Sequence, residues 1–427
     1  MKKVVLTKSK KVFLIILAVL VLQFVAGIVF FELDPKNENI NYEPADSKNV
    51  TDTTIRFNSD GKLKILHIAD THLNYDKHFD ASVWVIAEAC DVEKPDLVVL
   101  TGDNTHPDDD PEKTKNLINA LMNIFESRNI PVAVTFGNHD AEKGPMTRAD
   151  IMEYYKTFSC VITAEDADAF HNCATFNIPV LASDSDNVNF NIWVFDSGDY
   201  DEDEPRHYDR VRTEQIEWYK ETSAKLREEN GGQAVNSVVF QHIIVPEIYD
   251  VLKKLDSKQP YAVKRIYNEE EIYAFDENQT NYGTLNEKPC PGYYNDGQFD
   301  ALVENGDVLA MFTGHDHTNA FGVRNQNIDI YTSPMTRYKG LAYTTQYGYR
   351  VVEIDENDTS TYKTRVERLY DVFDFSYIKT AKDNGDKYSA RLAFELAVKG
   401  SVQEGYLKLY QSVVELLTGR QVTYPHG

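Results

Sequence analysis

An α/β fold with sheets layered against helices is what the 427-residue sequence predicts, on three observations. From residue 62 onward, short apolar runs alternate with stretches of helical spacing. The run Asp96–Leu100 is apolar almost throughout, as a strand covered on both faces must be. After residue 318 the chain turns to strand patterns. Such an order builds a layered α/β sheet sandwich.

The elements follow in sequence. Lys64–Ile68 reads as the first strand and His78–Asp91 as the helix after it. Asp96–Leu100 is the next strand, Glu112–Ser127 a helix, and Pro131–Thr135 a third strand. Thr147–Phe158 and Thr213–Arg227 have helical spacing, the second opening on Thr213 as N-cap. Between them Ala174–Ala182 and Asn189–Phe195 read as a strand pair. Ser237–Phe240 and Val308–Phe312 are short apolar strands, followed by Ile328–Tyr331, Tyr349–Ile354 and Tyr362–Leu369. Two closing helices, Asp386–Lys399 and Ser401–Leu417, are expected to pack over the sandwich edge.

The N-terminus has a different character. Val12–Phe31 carries no charge and follows five lysines, and a helix of that length spans about 30 Å of hydrocarbon. The lysines would stay cytoplasmic. The expectation is a basic cytoplasmic segment over 1–11, an uncleaved signal-anchor over 12–31 and a polar tether over 32–60. A main domain over 61–370 and a helical extension over 371–427 follow. The protein is then single-pass in the cell membrane with its domain on the extracytoplasmic side. A cleaved signal peptide is the alternative, and would make it secreted.

Composition narrows the functions. The formal charge is −24, with 68 acidic against 44 basic residues. Nucleic-acid backbones need a basic face, so no nucleic-acid binding is expected. Apolar residues make up 42% of the chain, enough for a sizeable core. Of the four cysteines, Cys160 and Cys173 are the nearest candidate disulfide pair after export, and Cys90 reads as a small buried residue in a helix.

Chemistry-bearing residues stand at the carboxyl ends of the predicted strands, where open α/β sheets place their sites. These are Asp70-Thr71-His72, Gly102-Asp103-Asn104, Gly137-Asn138-His139-Asp140, Gln241-His242 and Gly314-His315-Asp316-His317. Each alone is a common turn sequence. Five in succession, each after a strand, point to a pair of divalent cations. Such a pair neutralises the oxygens of a phosphate ester and creates a hydroxide near neutral pH. Asp103 is placed to bridge the two. Asp70, His72 and His317 would complete one cation site, and Asn138, His242 and His315 the other. An extended His315-Asp316-His317 would aim both imidazoles one way. His139 would hold a phosphate oxygen or protonate the leaving alkoxide.

On these motifs, over about residues 62–340, the sequence resembles the calcineurin-like metallophosphoesterases. The resemblance implies a four-layer α/β/β/α sandwich and two divalent metal ions (Mn, Fe or Zn). It also implies a phosphate-ester substrate and His139 as the catalytic histidine. Pro291–Gly297 and Gly306–His317 further resemble the purple-acid-phosphatase-like branch. The match is to the part of that branch lacking the metal-binding tyrosine: where many family members carry an aspartate that orients the catalytic histidine, and purple acid phosphatases an iron-binding tyrosine, this chain has His106. No purple iron site is therefore expected. Asp140 is a candidate substitute as orienting partner. His106 reads either as a substrate-facing residue or as a solvent-exposed loop residue before Pro107.

The expected function is hydrolysis of phosphate esters by in-line attack of a hydroxide shared between the cations, with monoesters favoured. The alternatives are a phosphodiesterase acting on a nucleotide or lipid headgroup, and a binding protein that keeps its metals without turnover. His67 is expected to be a packed residue inside the first strand, and Asp199–Glu204 a solvated acidic loop. The tyrosine-rich stretch Tyr249–Tyr294 is expected to touch the substrate cleft only slightly.

Overall fold

The computed structural model describes residues 52–418 apart from 143, 163–169, 171, 260–261, 340–341 and 343. The anchor expected at 12–31 and most of the tether lie outside the described residues. Among those residues no helix is long and apolar enough to cross a membrane.

Two sheets face each other. In the first, β1 (Lys62–Ile68), β2 (Leu97–Leu100) and β3 (Val132–Val134) run parallel. β14 (Gly348–Asp355) and β15 (Tyr362–Arg368) extend it antiparallel, in the order β15-β14-β1-β2-β3. The second sheet runs β10 (Asn281–Thr284), β12 (Ala320–Asn325), β13 (Ile328–Thr332), β11 (Val308–Thr313), β6 (Ser237–Gln241), β5 (Val188–Phe195), β4 (Phe176–Leu181). Its centre, from β13 through β11 and β6 to β5, is parallel.

Side-chain alternation along the strands makes three apolar layers. Leu63 and Ile65 of β1 point between the sheets, where they meet Phe190, Ile192, Phe240 and Phe312. Leu66 and Ile68 point the other way, into a core shared with the helices α1 (Phe79–Glu93), α2 (Pro111–Glu126) and α3 (Arg148–Tyr155). The outer face of the second sheet is covered by α4 (Thr213–Glu229) and α5 (Gln298–Asn305). The molecule is therefore a mixed α/β fold layered helix, sheet, sheet, helix. β2 is buried at all four positions because it lies in the middle of these layers.

Local chemistry sets the helix ends. Asp110 caps α2 by accepting from the Glu112 N–H, with Pro111 in the first turn. Thr147 and Asp150 form a capping box on α3. Thr213 is not the cap of α4. Arg212 stands there, its N–H held by Gln215 Oε1 at 2.7 Å, while the Thr213 N–H and hydroxyl both reach Asp296.

Two further expectations are corrected. The two closing helices are one, α8 (Lys387–Thr418), preceded by α6 (Leu369–Val372) and α7 (Phe375–Asp383). Gly400 reads as a break but lies within α8, where an added Cβ would sit 2.3 Å from the Tyr370 Cβ. Leu392, Ala393 and Leu396 of α8 enter the core beneath α1. The candidate pair Cys160 and Cys173 are both buried free thiols, as is Cys90. The tyrosine-rich stretch contains a third sheet of β7 (Leu252–Leu255), β8 (Val263–Arg265) and β9 (Asn268–Phe275), whose Leu252, Val263 and Tyr273 pack onto the outer core of the second sheet.

Candidate metal centre

Five parallel strands from the two facing sheets end at one place. β1 delivers Asp70 and His72, β2 delivers Asp103, and β3 delivers Asn138 and His139. β6 delivers His242, and β11 delivers His315 and His317. The chain turns sharply as it leaves the strands. Asp70, His72, Asp103 and His315 all hold positive φ, at 55°, 42°, 49° and 72°. Such backbone costs a non-glycine residue of order 1–3 kcal/mol, and it concentrates at sites that must aim a side chain.

Glycines let the loops touch. A Cβ on Gly137 would lie 2.3 Å from Asp103 Oδ1 and 2.7 Å from His242 Cε1. Asp140 pins the same loops. Its two oxygens accept the backbone N–H groups of Asp103, Asn104, Thr105 and Gly137 at 2.7–3.1 Å. That carboxylate is committed to the backbone, so Asp140 is not the partner that orients His139.

Two ligand clusters share one residue. Asp70, His72, Asp103 and His317 offer ligand atoms within 4.8 Å of one another, and so do Asp103, His242 and His315. Asn138 joins the second cluster, with Oδ1 3.3 Å from His242 Nε2. Its Nδ2 donates to the Tyr200 hydroxyl at 3.0 Å, which turns the amide oxygen toward the centre. The Asp103 carboxylate is divided between two tasks. Oδ1 accepts the His139 N–H at 2.7 Å, while Oδ2 lies 3.4 Å from Nε2 of both His72 and His242.

The expected extended geometry at His315-Asp316-His317 is not what the chain adopts. His315 is left-handed, and the Asp316 N–H returns to the Gly314 carbonyl at 2.9 Å. The turn sends His315 to one cluster and His317 to the other, where an extended segment would have aimed them together.

Whether cations fit here is decided by atoms left over. Among the described residues, His72 Nδ1, Asp103 Oδ2 and His315 Nε2 are buried without a hydrogen-bond partner. A buried polar atom left unpaired costs about 1–3 kcal/mol, and Asp103 Oδ2 bears that cost at the centre itself, where His72 turns Nε2 to within 3.4 Å of it and His315 turns Nδ1 to within 3.2 Å of His242 Nε2. His72 Nε2 and His317 Nε2 approach to 2.9 Å, a contact that needs a proton or a cation between them. The His242 Nδ1–H donates to the Thr101 carbonyl at 3.0 Å, leaving Nε2 for the centre. Burial pushes the Asp70 carboxyl up to about 8. Burial opposes charge on His242, yet the adjoining Asp103 carboxylate outweighs it and raises that imidazole to about 9. Both shifts favour a proton on these two groups, which a bound cation would have to displace. Oxygen and imidazole donors around a shared carboxylate suit two divalent ions.

His139 stands at the mouth, 26% exposed, with Nδ1 2.7 Å from Glu142 Oε2. The sequence reading missed Glu142. The signal was its place three residues past His139, where the turn after β3 brings the Glu142 N–H to the His139 carbonyl at 3.2 Å. His106 is half-buried rather than an exposed loop residue. Its ring stacks on His72 at 4.9 Å and lies 4.8 Å from His139. Tyr200 and Tyr208 were also missed. They come from the loop after β5, and the Tyr208 ring stands edge-on to His315 at 4.4 Å. His67 lies between the sheets, bonded to Thr101 at 2.7 Å and Ser333 at 2.9 Å, and belongs to neither cluster.

The family model described as calcineurin-like phosphoesterase matches residues 63–319. An Arabidopsis thaliana protein named probable inactive purple acid phosphatase 14 is 28% identical over 339 residues, covering 70% of this chain and 77% of its own. Probable inactive purple acid phosphatase 29 of the same plant is 27% identical over 298 residues, covering 62% and 70%. A dimetal phosphatase from Danio rerio superposes with a TM-score of 0.43 at 12% identity, over 68% of this chain and 92% of that one. The chain belongs to the calcineurin-like phosphoesterase family.

Proposed function

We propose that this protein hydrolyses phosphate esters, monoesters in preference to diesters, at a centre that holds two divalent cations. The observation that carries this reading is the Asp103 carboxylate, common to both clusters, with its buried Oδ2 equidistant from His72 and His242. Asp70, His72 and His317 would hold one cation, Asn138, His242 and His315 the other, and Asp103 both. When bound, the cations neutralise the phosphate oxygens and supply a nucleophile at neutral pH. The chain's own part is orientation and proton delivery. Glu142 takes the Nδ1–H of His139, which leaves Nε2 to face the leaving group and give it a proton. Tyr200 fixes the Asn138 amide, and Tyr208 screens His315 from solvent.

The same proposal places the domain outside the cytoplasm, held by the apolar segment at 12–31. Its support is the uncharged 20-residue run behind five lysines.

A second reading is a protein that keeps the metals and binds a phosphate ligand without turnover. Two aligned relatives carry the word inactive in their names, and His106 replaces the family's orienting residue. The Glu142–His139 pair speaks against it, since it restores the lost orientation from another place in the chain. The experiment is direct. Purified protein loaded with Mn²⁺, Fe²⁺ or Zn²⁺ is offered p-nitrophenyl phosphate and its bis-ester. Turnover that disappears in Asp103→Asn supports the enzyme, with the faster ester giving the preference. No turnover with any of the three metals supports the binding protein.

A further inference from the structure

We propose that His106, His139 and Glu142 form a third, weaker cation site at the mouth of the centre, and that Zn²⁺ bound there switches hydrolysis off. A ring nitrogen of each histidine and a Glu142 oxygen lie within 4.8 Å of one another. None of the three belongs to the other two clusters. Two imidazoles and a carboxylate are a zinc-binding set with a position open to water. The set is reachable, because the His139 and Glu142 side chains are 26% and 25% exposed. It is also held in place. His106 is stacked on His72, and the turn after β3 returns Glu142 to His139.

Binding replaces the proton held between His139 Nδ1 and Glu142 Oε2, which passes to solvent, by the cation. With Nδ1 on a cation in place of its proton, His139 can no longer form the imidazolium whose Nε2–H protonates the leaving group. His72 would hold one of the two cations of the centre, and repulsion from that pair would make this site the last to fill. Inhibition therefore sets in only when metal exceeds what the binuclear centre takes up. The effect on turnover rests on the phosphoesterase reading, whereas the presence of the site does not.

The test is a zinc count on the stripped, purified protein, dialysed against rising free Zn²⁺, with p-nitrophenyl phosphate turnover measured alongside. Wild type should take a third, weakest equivalent, and activity should fall about 10²-fold as it enters, the order of a lost general acid. His106→Asn should stop at the first two equivalents and escape the inhibition, and those two retained equivalents show that the variant is folded. If His106→Asn loses all zinc, Glu142→Gln, which should also stop at two, decides the matter. A wild type that saturates at two, or a variant that still takes the third, overturns the site. A third equivalent that leaves turnover unchanged overturns the switch. Three equivalents of zinc without turnover at any loading keep the site, and the switch is then read by adding zinc to the Mn²⁺- or Fe²⁺-loaded protein, where turnover that zinc leaves unchanged overturns it and the absence of turnover with every metal overturns the phosphoesterase on which it rests.

Discussion

Glu142 Oε2 lies 2.7 Å from Nδ1 of His139, in the position from which a carboxylate fixes an imidazole's tautomer. If His139 is the general acid, losing that carboxylate matters most when the leaving group needs a proton. Glu142→Ala should lower kcat by about 10²-fold on phenyl phosphate. On 2,4-dinitrophenyl phosphate, whose leaving group departs unprotonated, the loss should be far smaller. KM should hold on both, and Glu142→Asp should recover part of the rate. Equal losses on the two esters would mean that Glu142 only supports the loop.

Gly137 tests the centre from another side. Its missing side chain admits Asp103 and His242, and a methyl there overlaps both. Overlap of this size moves the neighbours, since real Cβ contacts do not come so close. Gly137→Ala should keep its far-ultraviolet dichroism, because the residue sits beyond the strand end, and should lose metal and activity together. Full metal content in this variant would show that Asp103 is not the shared ligand.

Proton release should accompany metal binding. His242, raised to about 9 by Asp103, and Asp70, raised to about 8 by burial, are both protonated at neutral pH in the metal-free protein. A cation must displace those protons, because a ligand offers a lone pair only when deprotonated. Apparent affinity should therefore rise with pH up to about 9 and fall at least about tenfold per unit below about 8. Calorimetric titration at pH 7 in two buffers of different ionisation enthalpy should count one or more protons released per chain. A titration that releases none would place the binding elsewhere.

What the sequence made legible is what periodicity and strand-end position encode. The apolar runs at β1, β2, β6 and β11 announce themselves because both faces are buried, and each of their ends carries a ligand motif. Glu142 was hidden because only the turn after β3 brings it to His139. The backbone at His315 was hidden too, since nothing in Gly-His-Asp-His distinguishes a turn from an extended segment. β9 escaped because its start, Asn-Glu-Glu-Glu, faces solvent and shows no strand alternation. Cys160 and Cys173 suggested a bridge by nearness in sequence, but both are buried free thiols.

Gly400 misled for the opposite reason. Glycine in a helical stretch reads as a stop because it costs about 1 kcal/mol there relative to alanine. Here the loss of propensity is outweighed by contact, for α8 crosses α6 so closely that the Tyr370 Cβ and Cγ stand 2.3 and 2.4 Å from where a methyl would be. Those atoms are the stem of the tyrosine, so no rotamer change clears them and the helices must separate. Gly400→Ala, which in an open helix would stabilise, should here destabilise by about 1–3 kcal/mol, the usual cost of overpacking. Since Leu392 and Leu396 of the same helix enter the core with α1, the loss should appear as a lower thermal midpoint for the whole domain. Turnover per folded molecule should hold, because α8 contributes no ligand. Tyr370→Gly in the Gly400→Ala background should recover part of the midpoint, and an unchanged midpoint in Gly400→Ala alone would mean that α8 does not lie against Tyr370.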